Sequence, residues 1–416
     1  MTDAKIAIVD PTFLEYGGHH MTCLETLQKA LQPHQAVFYI HRHSSSDVSN
    51  ILDDVRFEFA TEQHRLSNQR VKRQMKPVRW TISQTVRRLG GKPADRLNGK
   101  HYVRELERLF DAYGPSDHLI SPTTRADMLG SLITVASSRK TETLPHVHLR
   151  FLEYAPESDS ALATANYERL AELSAENPHI HIYTETQTLR RHFEDRFGIK
   201  GIGSAILQPG PTVPAVERKA MSDKIRIGYL GGNLRRNKGF ERIPAIVGLT
   251  MQKVAGTALE NKIEFVIQLA HDENSIALRK ELSELPGIAQ GQLRFVEGDH
   301  DLEAFTALLA SCDVMLFPYS QAREQVLAGS GILIDAVIHG VPLVSAPIST
   351  LSEFVEEETG KIASSDQEFA DAIVEIASDI GTYGANAARR SLEFSEAWRT
   401  NDLVTNVRRS LQDADA

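Results

Sequence analysis

A glycine-rich stretch in the C-terminal half of the sequence has the residue types of an anion site. The apolar segment DVMLFPY is followed by Gly329, Ser330 and Gly331, and then by an apolar helical stretch. A Ser-Gly pair at a helix start supplies an N-cap and free backbone amides, which attract anions. Asp335, four residues after Gly331, stays near that end and can accept hydrogen bonds from a ribose diol. An ordinary helix cap with a polar surface Asp is the alternative.

A second loop, LGGNLRRNKGF at 230–240, places cations beside paired glycines. Arg235 and Arg236 can each hold two oxygens at once, and Lys238 offers a mobile point charge. Together they can neutralise a diphosphate leaving group without a metal ion. Basic residues at a helix start are unfavourable at the positive end of the helix dipole, which favours a bound anion over the alternative of a solvated surface loop.

A third loop follows the first apolar segment, KIAIVD, and contains Gly17, Gly18, His19 and His20. Two glycines allow a ligand to approach the backbone closely. The loop is not the GxGxxG fingerprint, and no acid follows at the dinucleotide spacing, so a nicotinamide cofactor is disfavoured. A purely structural turn is the alternative here.

Parallel sheets covered by helices are the elements that position such loops. Short segments rich in Val, Ile and Phe alternate with helical stretches twice along the chain, which predicts two doubly wound α/β domains. The predicted strands lie at 5–10, 35–40, 55–59, 117–121, 146–151 and 179–183, and then at 224–230, 262–269, 292–296, 313–317 and 341–345. A proline-rich stretch at 208–223 is the predicted linker, so the domains are 1–207 and 224–385. A helical tail at 386–416 is expected to pack back on the first domain.

Composition is that of a globular protein without a membrane span. The chain has 416 residues, of which 41% are hydrophobic and 24% charged, and no apolar run approaches membrane length. The N-terminus lacks the pattern of an export signal, so we expect a cytoplasmic location. Cys23 and Cys312 have no metal-ligand or disulfide pattern and are interpreted as buried thiols.

The net charge of -9 conceals a basic segment at 65–100, which holds eleven Lys or Arg and a single acid, Asp95. Arg73, Lys76 and Trp80 illustrate the interleaving of cations with apolar residues that is typical of surfaces meeting anionic lipid. Peripheral contact with the inner face of a membrane is one interpretation. A polyanionic acceptor and a solvated loop are the others, and no nucleic acid partner is expected.

Taken together, these segments resemble the retaining glycosyltransferases of the GT-B fold, in particular the large family 4 group. The resemblance covers nearly the whole chain and implies two Rossmann-like domains with a cleft between them. In that group a glycine-rich loop lies near the donor, as Gly17 and Gly18 would here. Lys238-Gly239 matches the Lys-Gly that holds the diphosphate. The residues predicted to bind the donor are Gly17, Gly18, Gly232, Asn233, Arg236, Ser330, Gly331 and Asp335.

The sequence departs from the family pattern at two positions. Asn233 stands where the family has Arg, so that role passes to Arg235 or Arg236. Counted back from Gly340-Val341-Pro342, Asp335 matches the second of the family's paired acids, but Leu327 occupies the first. Glu324 is a possible substitute for the missing acid.

The reaction implied by the resemblance is transfer of a hexosyl unit from a nucleoside diphosphate sugar to a hydroxyl of a glycan or lipid-linked acceptor, with retained configuration and without a metal or cofactor. It suggests a role in polysaccharide or glycolipid synthesis. The predicted catalytic residues are His148, Arg150, Arg235 and Lys238, and the acceptor or membrane residues are His20, Glu153, Arg73, Lys76 and Trp80. A buried core position is the alternative for His148. Rival functions are a sugar-nucleotide epimerase or phosphorylase on the same fold, and a non-catalytic sugar-nucleotide or glycan-binding protein. The sequence does not indicate an oligomeric state.

Overall fold

The structure of the protein is a computed structural model that forms two compact units. It describes residues 4–13, 18–59, 93–154, 161–208, 223–231, 234–289, 291–298, 300–399 and 401–415. The first unit takes the described residues within Met1–Glu185, Arg190–Ile206 and Asn401–Ala416, and the second takes those within Thr186–Leu189 and Leu207–Thr400. The basic segment at 65–100 lies almost entirely outside the described residues, and with it Arg73, Lys76 and Trp80.

The first unit is built on a parallel sheet of seven strands in the order β3-β2-β1-β4-β5-β6-β7. The strands are β1 (Ile6–Asp10), β2 (Ala36–His41), β3 (Asp54–Phe59), β4 (His118–Thr124), β5 (His146–Phe151), β6 (Ile180–Thr184) and β7 (Gly203–Ser204). All six strands predicted in this half are confirmed to within a few residues. Only the short β7 has no counterpart in the sequence pattern, because two residues carry no periodicity.

Helices cover this sheet, as the alternation of segments predicts. They are α1 (Gly18–Leu31), α2 (Pro93–Ala112), α3 (Ala126–Ser137), α4 (Ala161–Glu176), α5 (Gln187–Phe197, apart from its first residues) and, from the C-terminus of the chain, α13 (Asp402–Asp415). The side chains of Leu403, Val404, Val407 and Leu411 are buried, so α13 packs through one apolar stripe.

The second unit repeats the architecture with six parallel strands in the order β10-β9-β8-β11-β12-β13. The strands are β8 (Ile225–Tyr229), β9 (Ile263–Leu269), β10 (Leu293–Glu297), β11 (Val314–Phe317), β12 (Leu343–Ser345) and β13 (Gly360–Ile362). The helices are α6 (Ile243–Val254), α7 (Glu273–Ser283), α8 (Leu302–Ala310), α9 (Gly331–Ile338), α10 (Ser349–Ser352), α11 (Asp366–Ser378) and α12 (Ile380–Arg399). The predicted tail starts at residue 386, whereas in the structure α12 belongs to the second unit and the chain enters the first unit at Asn401.

In each sheet, the direction in which the chain adds successive strands reverses at a single point. The strand order reverses between β1 and β4 in the first unit and between β8 and β11 in the second. In open parallel sheets, ligands bind beyond the carboxyl ends of the strands at this switch point. Ligand-binding residues are therefore expected in the loops that follow β1, β4, β8 and β11.

Apolar side chains fill the space between each sheet and its helices. β1 and β11 are buried along their whole length, as strands covered on both faces must be. Both cysteines lie in this interior, and burial raises the pKa of each thiol to about 12. Within the described part of the chain, no helix combines the length and the apolarity needed to cross a membrane.

Candidate functional site

In the second unit, three elements meet at the carboxyl end of β8. Gly231 follows this strand with φ of 125°, and its N–H donates to Oε1 of the buried Gln268 at 2.8 Å. A Cβ built on Gly231 would lie 2.6 Å from Cδ1 of Ile332 and 3.4 Å from Nζ of Lys238. The glycine, the lysine ammonium and the first turn of α9 therefore surround one small space.

The loop that carries Lys238 is fastened to the segment after β11. Gly239 has φ of 70°, and a Cβ on it would lie 1.8 Å from the carbonyl oxygen of Pro318, so no other residue fits this contact. The N–H of Ser320 donates to the carbonyl of Asn237 at 3.2 Å, and Nη1 of Arg242 donates to that of Pro318 at 3.3 Å. These contacts hold the backbone beside Lys238.

The other cations of this loop have different environments. Arg235 and Arg236 are exposed, whereas Lys238 is half-buried. Arg242 is engaged with Asp366 at 2.7 Å and contributes to the fold. Of the predicted diphosphate ligands, the structure thus brings Lys238 to the start of α9. Gly232 and Asn233 lie outside the described residues.

The start of α9 is the positive end of a helix dipole. Ser330 is the N-cap residue, but its hydroxyl makes no capping bond and instead lies 3.0 Å from the hydroxyl of Tyr319. No acidic residue occurs in the first turn. The N-terminus of α9 and the Lys238 ammonium thus place two sources of positive potential at one point, which suits an anion.

Asp335 and Leu327, the two positions matched to the family's acids, differ in setting. Asp335 is half-buried in the second turn of α9, and its carbonyl accepts the N–H of His339. Leu327 is in the left-handed conformation with φ of 44°, the only non-glycine residue in the described chain to do so. This conformation is strained for a side chain of that size. The side chain of Glu324 lies outside what the structure describes.

In the first unit, the switch point holds a carboxylate–imidazole pair. Asp10 is the last residue of β1. Its buried carboxylate accepts a hydrogen bond of 2.7 Å from Nδ1 of His20, which lies in the first turn of α1. The amide and the hydroxyl of Thr12 donate to the second carboxylate oxygen at 3.1 and 2.8 Å. Glu153 is nearby in the fold and forms a loose ion pair with Arg125 at 3.8 Å, both side chains being partly exposed.

Arg150 is not the surface residue that the sequence interpretation placed at a strand end facing a cleft. Its guanidinium is fully buried and donates to the carbonyls of Ala205 at 2.6 Å and Pro122 at 3.0 Å, and to the carboxylate of Glu185 at 2.7 Å. The prediction of a catalytic Arg150 is therefore corrected: the side chain joins three segments of the first unit.

His148 is likewise a core residue, which was the alternative interpretation of its sequence. Its Nε2 lies 3.0 Å from Nδ1 of His118, and its Nδ1 lies 3.0 Å from the hydroxyl of Tyr183. Burial together with the neighbouring imidazoles holds its pKa well below the usual range. A buried, neutral ring with both nitrogens engaged cannot contact a sugar, so the catalytic prediction for His148 is wrong.

His148 belongs to a histidine cluster on one face of the sheet. Its members are His118 on β4, His146 and His148 on β5, and His179 and His181 at β6. The rings stack, with centroids 4.2 Å apart for His146 and His179 and 4.6 Å apart for His148 and His181. Within the described residues no three His, Cys, Asp or Glu side chains are arranged to hold a metal ion.

Sequence reasoning missed Asp10, Arg125, Gln268 and Tyr319 as site residues. Asp10 and Tyr319 each lie at the end of an apolar strand segment, which was treated as a strand signal only. The position itself was a usable signal, because polar residues at the carboxyl ends of strands next to a switch point border the ligand site. Gly17 lies outside the described residues, and Gly18 begins α1.

Known structures share this architecture over the full chain. HepE from Anabaena, solved with UDP, matches with a TM-score of 0.60 and 13% identity over 99% of both chains. Sucrose-phosphate synthase from Thermosynechococcus elongatus matches with a TM-score of 0.61 and 15% identity over 99% of this chain and all of the other. The chain has the GT-B fold. Trehalose-6-phosphate synthase OtsA also matches this GT-B protein, with a TM-score of 0.63 and 11% identity over 99% of this chain and 98% of the other. No protein-family model and no curated protein sequence matches the chain.

Proposed function

We propose that this GT-B protein is a glycosyltransferase that moves a hexosyl unit from a nucleoside diphosphate sugar to an acceptor hydroxyl. The observation that carries the proposal is the meeting of Gly231, Lys238 and the start of α9 at the switch point of the second unit. A diphosphate fits this place because backbone amides and an ammonium group favour negative charge at the same point.

The diphosphate would leave without a metal ion. Lys238 and the amides at Ser330-Gly331 stabilise the negative charge that develops on the leaving oxygen, and Arg235 and Arg236 are exposed cations on the loop that carries Lys238. Retention of configuration is proposed on the basis of the resemblance to retaining enzymes. HepE was solved with UDP and with UDP-glucose, which makes a uridine nucleotide the first donor to test.

The acceptor is proposed to be a glycan or a lipid-linked sugar, in polysaccharide or glycolipid synthesis at the inner face of a membrane. The basic segment at 65–100, with ten more positive than negative charges, supports contact with anionic lipid. Flotation with vesicles of acidic phospholipid tests this part. A polyanionic soluble acceptor would bind the same segment in the absence of vesicles.

A non-catalytic sugar-nucleotide-binding protein is the second candidate, and Leu327 is the observation that favours it. An acid at this position would accept bonds from sugar hydroxyls, which a leucine cannot do. Release of the nucleoside diphosphate from a bound nucleotide sugar separates the two functions, because a binding protein leaves the donor intact. An epimerase would instead yield a nucleotide sugar in which one stereocentre of the sugar is inverted.

Binding of UDP, GDP and ADP, each with and without a sugar, tests the proposed function directly. We expect one nucleotide to raise the melting temperature and Lys238→Ala to weaken its affinity about 10- to 100-fold, since a hydrogen bond from a charged donor contributes about 1.5–3 kcal/mol. Calorimetric titration measures the change. Lys262→Ala is the matched control, because this exposed lysine precedes β9 at the opposite edge of the sheet. Equal affinity in the wild type and Lys238→Ala would contradict the assignment of the site.

A further inference from the structure

A cavity lies at the amino ends of the first three strands of the first unit. Its volume of about 630 Å³ is within the usual range for sites that bind small organic molecules. Lys5 precedes β1, the segment at 33–35 precedes β2, and Arg56 lies on β3, and all of them line the cavity. Because β1 is five residues long, roughly 16 Å of sheet separates the cavity from the switch point of the same unit.

Strand pairing explains why these side chains meet at one place. Every second side chain of a strand points to the same face of the sheet, and paired residues share that face. Val37 pairs with Ala7. Two residues further on, Tyr39 pairs with Arg56, so all four side chains lie on one face. Lys5 comes two residues before Ala7 and continues this row.

Hydrogen-bond donors converge on the cavity. Nη1 of Arg56 donates to the hydroxyl of Tyr39 at 3.1 Å, and the guanidinium carbon lies 5.4 Å from the centre of that ring. The Tyr39 hydroxyl also lies 3.1 Å from the hydroxyl of Tyr113, which follows α2. Whichever tyrosine donates this bond, the hydroxyl proton of the other has no acceptor among the residues that the structure describes. Burial, together with Tyr39, raises the pKa of Tyr113, so its hydroxyl keeps its proton.

The charges at the cavity favour an anion. Lys5 and Arg56 are lining residues with a positive charge, and no acid lines the cavity in the described part of the chain. Two carboxylates are close to it. Asp54 pairs loosely with Arg56 at 3.5 Å, and solvent weakens this pair because both side chains are about half-exposed. Asp117 is buried and accepts the backbone N–H groups of Lys5 and Gly114, each at 2.7 Å, so its oxygens are engaged by the main chain.

We propose that this cavity binds a phosphate monoester with an apolar, ring-sized organic group. The planar fork of the Arg56 guanidinium matches two phosphate oxygens, and the Lys5 ammonium adds a second positive charge. The remaining hydroxyl proton of the tyrosine pair can be donated to a third oxygen. The site depends on none of the residues proposed to bind the sugar nucleotide, so it goes beyond the proposed glycosyl transfer.

The size and the lining of the cavity explain the organic group. A phosphate ion alone is far smaller than 630 Å³ and would leave most of the space to water. Apolar surface removed from water contributes about 25 cal/mol per Å² to binding, and part of the lining offers such surface. The apolar lining residues are Ile6, Pro33, Val37 and Ala112.

Calorimetric titration of the full chain with phenyl phosphate tests the inference. We expect a dissociation constant below about 1 mM, and binding of inorganic phosphate and of phenol that is weaker by about tenfold or more, since each offers only one half of the ligand. A phosphate group could also enter the proposed donor site. The titration is therefore repeated with Lys238→Ala, which should bind phenyl phosphate as the wild type does.

Variants of the two cations locate the ligand. Arg56→Gln should lower the affinity about 10- to 100-fold and Lys5→Gln about tenfold, because each removes a charged donor. Both side chains are exposed, so the variants should fold, which circular dichroism checks. Arg169→Gln is the matched control, since it removes an exposed arginine on α4 of the same unit and should leave the affinity unchanged. NMR signals of labelled Tyr39 and Tyr113 should shift when phenyl phosphate is added.

Three results would overturn the inference. The first is a dissociation constant above about 1 mM for phenyl phosphate, or equal affinity for phenol or inorganic phosphate. The second is binding by Arg56→Gln and Lys5→Gln that is as tight as binding by Arg169→Gln. The third is loss of binding in Lys238→Ala, which would assign the phosphate to the donor site. None of these results bears on the proposed glycosyl transfer, which the nucleotide titrations test separately.

Discussion

Titratable side chains at the two ends of the first sheet have different kinds of partner. Toward the carboxyl ends of the strands they are paired charges, Asp10 with His20 and Arg150 with Glu185. Toward the amino ends lies the histidine cluster, whose rings bond to one another and to Tyr183. Burial is common to both regions. The two regions differ in whether a carboxylate is present. A carboxylate stabilises a buried positive charge, whereas buried imidazoles without one stay neutral.

The pKa shifts of the two regions therefore have opposite signs. The pKa of His20 is raised, whereas burial and neighbouring imidazoles lower the pKa of His118 to about 3, and burial with His146 and His179 lowers that of His181 to about 4. One residue type supplies an imidazole with a raised pKa, paired with a carboxylate, at one end of the sheet and a set of uncharged packing elements at the other.

Breaking the buried pair should have the largest effect on stability. Glu185→Gln leaves the Arg150 guanidinium buried without a counter-charge, and removal of one partner of such a pair costs about 3–5 kcal/mol. Urea unfolding followed by circular dichroism measures the loss. Glu194→Gln, which breaks the half-exposed pair with Arg190, should cost less than about 1 kcal/mol. Equal losses in the two variants would mean that the buried charge is solvated in some other way.

Acid should destabilise the cluster end before the paired end. The folded pKa of each cluster histidine lies below the unfolded value of about 6.5, so its contribution to stability is present above that pH and is lost as the pH falls toward 4. Each such ring adds a slope of up to about 1.4 kcal/mol per pH unit. The pair behaves differently, because the stability from His20 is lost as the pH rises through its raised pKa, and that from Asp10 is lost only as the pH falls through its lowered pKa.

The measurement is the free energy of unfolding in urea between pH 5 and 7.5. His146→Gln with His181→Gln should flatten its dependence on pH, since glutamine cannot be protonated. His43→Gln, at an exposed position, should leave the slope as in the wild type. A slope that the double variant does not change would show that folding does not lower the pKa of these rings.

A smaller effect is expected where the cluster meets α13. The hydroxyl of Tyr183 lies 3.0 Å from Nδ1 of His148 and accepts Nδ2 of Asn406 at 3.1 Å. Tyr183→Phe should reduce the free energy of unfolding by about 1–2 kcal/mol, because both partners lose a buried hydrogen bond. Comparison with Asn406→Leu and the double variant gives the coupling between strand and helix. Strictly additive losses would argue that this bond contributes nothing.

Much of the fold was predictable because it is encoded locally. Segments such as KIAIVD and DVMLF are too apolar and too short for anything but buried strands, and all eleven predicted strands are present in the structure. The proline-rich stretch at 208–223 separates the two repeats of the pattern. Lys238-Gly239 was identified through its match to the family's Lys-Gly, and the left-handed turn found at Gly239 depends on the glycine itself.

The site in the first unit was harder to predict, although part of its signal was visible. In HVHLRF the polar residues His146, His148 and Arg150 alternate with apolar ones, which places all three on one face of a strand. A parallel sheet covered by helices buries that face, so the alternation already favoured the core. The interpretation gave more weight to the end of the strand than to its covering.

By itself the sequence determined where strands, turns and helices form and which loops follow the switch points, because these depend on periodicity and on the backbone freedom of a few glycines. Only the tertiary structure decided which histidine is paired with a carboxylate. His20 and His148 are the same residue type, and both have polar neighbours in the sequence. Their difference arises from what folding brings to each ring, the Asp10 carboxylate for one and other imidazoles for the other, since charge in a protein interior depends on distance and burial rather than on residue type.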